Sequence, residues 1–161
     1  MSKRLSREET WKEWELAIPR DDPEGWELTF FKEGHWDEDF SNFTLPRTYI
    51  GRSLLERVSF QNTDLHGSHL CWNDFNDCDF SEAELSHADL RSSIYRRCKF
   101  VNCYLVRADL RGAVFESCNF IGANLCAAKM TRSQAKGLNL TNEQRQFVNW
   151  QRSDGPEPDG G

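Results

Sequence analysis

Large apolar residues recur at every fifth position through much of the chain. From Leu55 to Met130, fourteen of the sixteen positions that are multiples of five hold Leu or Phe, and the exceptions are Tyr95 and Met130. Two residues before these positions, fifteen of the seventeen residues from Ser53 to Ser133 are Ala, Ser, Cys or Thr. The positions between are mostly polar. A period of five fits neither the 3.6-residue helix nor the two-residue strand.

This pattern predicts a coil with short sides, each of which buries one large and one small residue. The two sizes alternate along a side, so that a narrow interior fills without voids. A second period of twenty residues implies four sides per turn, and turns stacked about 4.8 Å apart would align like residues. The predicted core ladders are Phe60, Phe80, Phe100 and Phe120 on one side and Leu65, Leu85, Leu105 and Leu125 on another.

The best-formed repeats share the pattern Ala, then Asp or Asn, then Leu. They are Ala88-Asp89-Leu90-Arg91-Ser92, Ala108-Asp109-Leu110-Arg111-Gly112 and Ala123-Asn124-Leu125-Cys126-Ala127. They resemble the A-(D/N)-L-x-x signature of the pentapeptide-repeat family, and the resemblance covers residues 50–140. It implies an all-β solenoid, the right-handed quadrilateral β-helix. We predict this fold with short N- and C-terminal helical caps.

Caps are expected because the end turns would otherwise expose apolar core and unpaired backbone groups. The predicted segments are an N-terminal helix and aromatic-rich capping extension (1–45), the β-helix (46–140), a C-terminal capping helix (141–152) and a disordered tail (153–161). Capping-box sequences that start at Ser6 and Thr141 begin the two helices. Phe147, Val148 and Trp150 could cover the last turn, which we favour, or form a homodimer contact.

Composition narrows the class of protein. The net charge of -6 argues against a chain that binds nucleic acid directly, which normally needs a basic surface. The sequence contains no run of 18 apolar residues, so it predicts no membrane span. The polar stretch from Met1 to Thr10 lacks the apolar centre of a signal peptide. We therefore expect a cytoplasmic protein whose six cysteines are reduced thiols.

The cysteines are interpreted as structural residues. Four of them, Cys78, Cys98, Cys103 and Cys118, occupy the small inward position. Cys71 and Cys126 are predicted to point outward and to react with thiol reagents. The sequence contains no CxxC motif, and we predict no cluster of Cys with His that would bind metal.

No arrangement of the other residues predicts catalysis. His66 and His87 are expected on one face of successive turns, beside Asp64 and Glu84, where solvated side chains are favoured over a metal site. The run Ser86 to Asp89 holds the residue types of a hydrolytic triad, but neighbouring residues on a coil point in different directions. We predict a protein that is not an enzyme and has no metal or cofactor.

Charge separates along the predicted rod. From Val58 to Leu90 there are seven acids and no Lys or Arg, whereas from Arg91 to Lys136 there are nine bases and two acids. Stacked like charges such as Arg91 and Arg111 repel modestly, so either solvent screens them or a partner uses them. Exposed apolar residues also mark protein contacts. The candidate partner-binding residues are Trp72, Asp74, Asp77, Glu82, Glu84, Arg96, Arg97, Val101, Tyr104, Val106, Arg107 and Ile121.

These features predict a module that binds a protein partner. We favour an immunity protein that neutralises an antibacterial toxin, such as a secreted nuclease, because an acidic face could occlude a basic cleft. The resemblance to the family's quinolone-resistance members implies the alternative of a DNA-mimicking protein that protects gyrase. The repeat region from 46 to 141 departs from that role, because it holds twelve bases and ten acids.

Overall fold

The computed structural model describes the backbone of residues 28–31 and 34–152, and the side chains from residue 34 onward. The predicted helix from Ser6 and the predicted disordered tail from 153 lie outside the described residues. The strands are β1 (Leu28–Phe31), β2 (Gly34–Trp36), β3 (Thr48–Gly51), β4 (Leu54–Glu56), β5 (Asp74–Asn76), β6 (Ile94–Arg96), β7 (Val114–Glu116), β8 (Lys129–Thr131) and β9 (Asn149–Gln151). The helices are α1 (Arg132–Ala135) and α2 (Asn142–Phe147).

The strands stack in parallel with a shift of twenty residues from one turn to the next. One sheet has the order β2-β4-β5-β6-β7, and β1 pairs with β3 while β8 pairs with β9. Isolated parallel bridges such as Asp64↔Glu84 and His69↔Asp89 keep the same shift on the other sides. The chain is therefore a β-solenoid with four sides and twenty residues per turn, which confirms the predicted fold class.

Each side is defined by its column of large inward residues. Side 1 carries His35, Leu55, Phe75, Tyr95 and Phe115; side 2 carries Phe40, Phe60, Phe80, Phe100 and Phe120; side 3 carries Leu45, Leu65, Leu85, Leu105 and Leu125; and side 4 carries Ile50, Leu70, Leu90, Leu110 and Met130. All of these residues are buried except Phe115, which is partly buried and packs against the core. All eight residues of the predicted Phe and Leu ladders thus lie in the core.

The aromatic residues stack along the axis and meet edge to face across the corner between sides 1 and 2. The ring centroids of Phe60 and Phe80 are 5.0 Å apart, and those of Phe80 and Phe100 are 5.1 Å apart. Phe75 and Tyr95 stack at 4.9 Å on side 1, and Tyr95 meets Phe100 at 72°. Both geometries are favourable for aromatic pairs, so a continuous aromatic stack lies behind the outward residues of sides 1 and 2.

Sides meet at corners whose backbone is left-handed. Sixteen described residues other than glycine have positive φ, and each lies two positions after a large inward residue. This conformation costs an L-residue about 1–2 kcal/mol, and the packing of the two flanking sides must offset that cost. The corner side chains point away from the core, so that Trp72, Glu82, Arg97 and Arg107 are exposed. Corners therefore supply many of the candidate contact residues.

Parallel pairing starts earlier than the predicted boundary at residue 46. β1 and β2 already pair with the next turn, and Phe40 stacks on Phe60 with ring centroids 5.4 Å apart. The small positions of this first turn hold Glu38 and Phe43, both buried, in place of Ala, Ser, Cys or Thr. The sequence signature is therefore lost in this turn although the coiled backbone continues.

The C-terminal end is capped by two short helices with the same capping box. Thr131 begins α1 and Thr141 begins α2, and each accepts a hydrogen bond from the backbone of the glutamine three residues later. The Gln134 amide also donates to the carbonyls of Leu110 and Ala113, and the Gln144 amide donates to those of Phe120 and Ala123. Unpaired carbonyls of the last turn are satisfied in this way.

The predicted C-terminal helix is shorter than expected, and α1 was not predicted. α2 ends at Phe147, and the chain continues as β9 on the edge of β8. Val148 is buried and Trp150 packs against the core, whereas Phe147 is 54% exposed. Two of the three apolar residues thus cover the last turn, and a homodimer contact through Phe147 stays a prediction. No helix in the described part of the chain is long and apolar enough to cross a bilayer.

Candidate protein-binding surface

The twelve candidate residues fall on two different parts of the surface. Seven lie on sides 2 and 3 and the corners that border side 3: Glu82, Glu84, Val101, Tyr104, Val106, Arg107 and Ile121. Five lie on side 1 and its corners: Trp72, Asp74, Asp77, Arg96 and Arg97. Because sides 1 and 3 face opposite directions in a four-sided coil, one compact interface cannot use both groups.

Charges at the corner between sides 1 and 2 alternate from one turn to the next. Asp37, Arg57, Asp77 and Arg97 occupy this corner in successive turns. Arg57 donates two hydrogen bonds to Asp37 at 2.6 and 3.2 Å, and Arg97 donates two to Asp77 at 2.8 and 2.9 Å. The Arg97 hydrogen bond is the main cause that lowers the pKa of Asp77. On side 1, Arg96 contacts Glu116 at 3.1 Å.

Side 4 repeats an Asp-Arg pair within single turns. Asp89 accepts from Arg91 at 2.9 and 2.8 Å, and Asp109 accepts from Arg111 at 2.8 and 2.6 Å. Burial alone would raise the pKa of both carboxyls, but the arginine hydrogen bonds outweigh it and lower each pKa below its usual value. The stacked Arg91 and Arg111, expected to be screened by solvent or used by a partner, are thus each paired with an acid.

A group of acids on sides 2 and 3 has no such cation. These residues, Asp64, Asp79, Glu82 and Glu84, are called the acidic face. Within the described residues, none of the four forms an ion pair. Asp64 and Glu84 bond to backbone amides two residues ahead, at 3.0 and 2.8 Å, and Asp79 accepts from Gln61 at 2.7 Å. Lys99 follows Asp79 in its column, but no ion pair joins the two, so the four carboxylates of this face lack a directly paired cation within the described residues.

An apolar patch follows the acidic face on the same two sides. It consists of Val101, Tyr104, Val106 and Ile121 and is called the apolar end. Tyr104 is 49% and Ile121 is 67% exposed, and Tyr104 lies directly after Glu84 in its column. Sides 2 and 3 thus place an acidic region and an apolar region next to each other.

Side 1 offers a different apolar feature. Trp72 is 66% exposed and borders a shallow groove whose walls include Arg52, Leu54, Asp74 and Ile94. The groove is wide open and lies on a side where most of the charges are paired. It is therefore a second, separate candidate surface.

One cluster was missed by the sequence analysis and overturns the expectation for Cys71. The Cys71 thiol is buried, with the residue 6% exposed, and its Sγ lies 2.7 Å from His69 Nε2 and 3.8 Å from Asp89 Oδ2. Burial, and the charge of Asp89, raise the pKa of Cys71 to about 11. Cys71 therefore holds an outward position in the repeat but is covered by its neighbours and is not the accessible thiol that was expected, whereas Cys126 is exposed as predicted.

The twenty-residue period could have revealed this cluster. His69 and Asp89 occupy the same column in successive turns, and Cys71 lies on the same side two residues after His69. His66 and His87, by contrast, contact each other with ring centroids 5.3 Å apart. In the part of the chain that the structure describes, only His69, Cys71 and Asp89 bring three possible metal ligands together.

The family model described as Pentapeptide repeats (8 copies) matches residues 53–91, 96–132 and 108–142. These ranges cover more than half of the chain, and the chain belongs to the pentapeptide-repeat family. Proteins with this fold are structural or protein-binding scaffolds. No curated protein matches the chain.

A solved structure of another pentapeptide-repeat protein shares the fold. HetL from the cyanobacterium Nostoc sp. strain PCC 7120, a protein involved in heterocyst differentiation regulation, is 18% identical with a TM-score of 0.60 over 63% of this chain. The chain spans about half of HetL, 48% of its length. Rfr23 from Cyanothece 51142 is 17% identical with a TM-score of 0.41, over 60% of this chain and 58% of its own.

A third similar structure is trypsin-treated QnrB1, a plasmid-mediated fluoroquinolone resistance protein. It is 11% identical with a TM-score of 0.31, over 77% of this chain and 89% of its own. Its likeness is too low to carry an argument about function. At 18% identity, HetL shows only that the two proteins share a fold.

Proposed function

We propose that this protein is a non-enzymatic binding module whose acidic face and apolar end bind one basic protein partner, and that it acts as an immunity protein against an antibacterial toxin. The observation that carries the proposal is the position of both regions on sides 2 and 3. The acids there lack ion pairs within the described residues, whereas most charges on sides 1 and 4 are paired. Acids without a paired cation are therefore concentrated on sides 2 and 3 of the described coil.

The acidic face suits a partner with a basic cleft. A toxin that cleaves nucleic acid must attract a polyanion and therefore carries clustered positive charge. Complementary potentials accelerate association and select the right partner more than they add affinity. A surface whose four carboxylates form no ion pair with other described residues can occupy such a cleft without being a substrate.

The apolar end suits the buried centre of the same interface. Interface centres are enriched in aromatic residues and depleted of charge, and Tyr is among the residues that most often dominate binding energy. Tyr104 and Ile121 present this chemistry beside the acids. The stacked core behind them loses little freedom on binding, which favours tight recognition.

A cytoplasmic location fits the proposal. All six cysteines are free thiols, including the buried Cys78, Cys98 and Cys103. Free thiols persist in the reducing cytoplasm and are oxidised more readily outside it. An immunity protein that protects the cell that makes the toxin would act in that compartment.

The test starts with the genes that flank this one, and any toxin domain encoded there is expressed in cells with and without this protein. We expect co-expression to restore growth, and we expect Ile121→Asp to abolish protection while the folded protein persists. The matched control is Trp72→Asp, because Trp72 is as exposed as Ile121 but lies at a corner of side 1. Loss of protection by the Trp72 variant alone would move the interface to side 1.

The alternative of gyrase protection is tested with the same variants. Purified protein is added to a gyrase supercoiling reaction containing a quinolone. If gyrase is protected and toxicity is not relieved, the immunity proposal is wrong. Protection that also depends on the acidic face would support DNA mimicry by these two sides.

A further inference from the structure

We propose that His69, Cys71 and Asp89 form a binding site for a zinc-class divalent metal ion on side 4. The inference goes beyond the proposed function and is independent of it, because the site lies away from the acidic face and the apolar end. It rests on one donor atom from each residue, drawn from two successive turns, with all three atoms within 4.8 Å of one another.

The distances are close to those of a metal-bound set. A tetrahedral zinc ion bound at about 2.0–2.3 Å places its ligand atoms about 3.3–3.8 Å apart. Here Cys71 Sγ is 3.8 Å from Asp89 Oδ2, and His69 Nδ1 is 3.3 Å from the same oxygen. The Nε2 atom of His69 contacts Cys71 Sγ. Because these two contacts use different ring nitrogens, a site with one nitrogen of His69 requires the ring to shift, starting from three donor atoms that lie within 4.8 Å of one another.

The donor types select the class of ion. Thiolate and imidazole favour zinc and its relatives, whereas magnesium and calcium prefer oxygen ligands. Three protein ligands leave a fourth position for water or a partner's side chain, as in many zinc sites. Cys71 is nearly buried, so its sulfur lies where few other solutes can reach it.

Neighbouring residues hold the ligands in position. Arg91 donates to both oxygens of Asp89, and its backbone amide adds a third hydrogen bond at 3.1 Å. The His69 ring stacks on Tyr49 with centroids 5.2 Å apart and planes 6° apart. Tyr49 in turn lies across Gly51, where an added Cβ would come within 2.9 Å of its hydroxyl. Such outer contacts orient metal ligands and tune their affinity.

The following turn provides a natural comparison. Asp109 and Arg111 repeat the geometry of Asp89 and Arg91, but Asp89 and Arg91 themselves occupy the positions that His69 and Cys71 hold one turn earlier. Three convergent ligands of different chemistry therefore occur at one level of side 4 within the described residues. A bound ion there would link two successive turns.

The experiment uses the full chain carrying Cys126→Ser, which removes the exposed thiol. Titration with Co²⁺, followed by competition with Zn²⁺, reports binding through the thiolate-to-cobalt charge-transfer absorption. We expect one ion per chain, and at least about tenfold weaker binding in Cys71→Ser and in His69→Gln. The matched control is Asp109→Asn, which alters the equivalent pair one turn later and should leave binding unchanged.

Each remaining outcome decides the proposal. Absence of the thiolate absorption, or binding that survives Cys71→Ser, overturns it. Binding lost in His87→Gln but kept in His69→Gln would assign the ion to the His66–His87 contact and also overturns it. Because Cys71→Ser could disturb folding, Asp89→Asn provides a second ligand variant. Circular dichroism of each apoprotein separates a lost site from a lost fold.

Discussion

Sides 1 and 4 differ from sides 2 and 3 in whether their acids form ion pairs with arginines. On the first two sides and their corners, arginines form bidentate pairs with Asp77, Asp89 and Asp109. On the other two, the acids of the acidic face form no ion pair within the described residues. Charge that is separated along the sequence is thus redistributed around the rod, because the fold brings together residues two or twenty positions apart.

The acidic and basic halves of the sequence partly neutralise each other in the folded protein. Arg91 and Arg97, from the basic half, neutralise Asp89 and Asp77 from the acidic half. Of the five other acids of that half, the four of the acidic face lie on sides 2 and 3, and Asp74 lies on side 1. The surface charge is therefore described better by which sides carry ion pairs than by an acidic and a basic half of the rod.

The largest expected effect concerns the core that supports both pairs of sides. Phe100→Ala removes a ring that stacks on Phe80 and Phe120, and it should lower the free energy of unfolding by about 3–5 kcal/mol. Urea denaturation measures this loss. Ile121→Asp, on the exposed surface of the same side, should change stability by about 0.5 kcal/mol or less. Equal losses in the two variants would refute the assignment of inward residues.

The next largest loss of stability is expected at the C-terminal caps, whose glutamines bind carbonyls on different sides of the coil. Gln134 satisfies carbonyls on sides 4 and 1, and Gln144 satisfies carbonyls on sides 2 and 3. Gln144→Ala should cost about 1–3 kcal/mol, since two carbonyls lose their donor. Gln146→Ala, at an exposed position of α2, is the control and should be nearly neutral. If both variants unfold at the same urea concentration as the wild type, the amide does not cap the coil.

A smaller effect should appear as a pH dependence of the paired sides. The pKa of Asp77 and of Asp109 is lowered in the folded protein, against about 3.9 for an unfolded Asp. Their pairs therefore stabilise the fold above that pH and lose this contribution as the pH falls through the folded pKa. Thermal unfolding between pH 5 and pH 2 should show a shallower decline in Asp77→Asn/Asp109→Asn. Arg111→Gln should reduce the same slope, and an unchanged slope would argue against the pairing.

The smallest effect is expected on the acidic face. Asp64 and Glu84 are bridge partners in successive turns, and like charges directly opposite each other are destabilising. Asp64→Asn should raise the free energy of unfolding by about 0.2–1 kcal/mol, measured by urea denaturation at low salt. Asn124→Asp, in the same column but beside Tyr104, is the control and should not give this gain. A loss of stability in Asp64→Asn would mean that its charge is compensated after all.

The sequence could predict the fold because the inward residues follow a strict rule. A period of five defines the sides, and a period of twenty defines the turn, so that the ladder of Phe60, Phe80 and Phe100 could be assigned in advance. The first turn was not predicted because Glu38 and Phe43 stand where the pattern expects small residues, although the backbone there still coils. The helix α1 was not predicted, although Thr131 and Gln134 form the same capping box as Thr141 and Gln144 of α2.

The outward surface could be predicted only in part. Exposed residues such as Ile121 followed from the period, but their partners depend on side-chain direction as well as on column. Asp89 can reach Arg91, His69 or Cys71, and the repeat alone does not choose among them. The acids of the acidic face were all visible in the sequence, whereas their lack of ion pairs with other described residues became evident only in three dimensions.

The most direct test of the central claim measures how a toxin domain that this protein neutralises binds to a variant that lacks the charge of the acidic face. The four carboxyls of that face are neutralised together, each Asp to Asn and each Glu to Gln, and association is followed by surface plasmon resonance. The control, Asp77→Asn with Arg97→Gln, removes one ion pair from the paired sides. The account predicts association at least about tenfold slower for the first variant and unchanged for the control. Equal rates in the first variant and the wild type would contradict it.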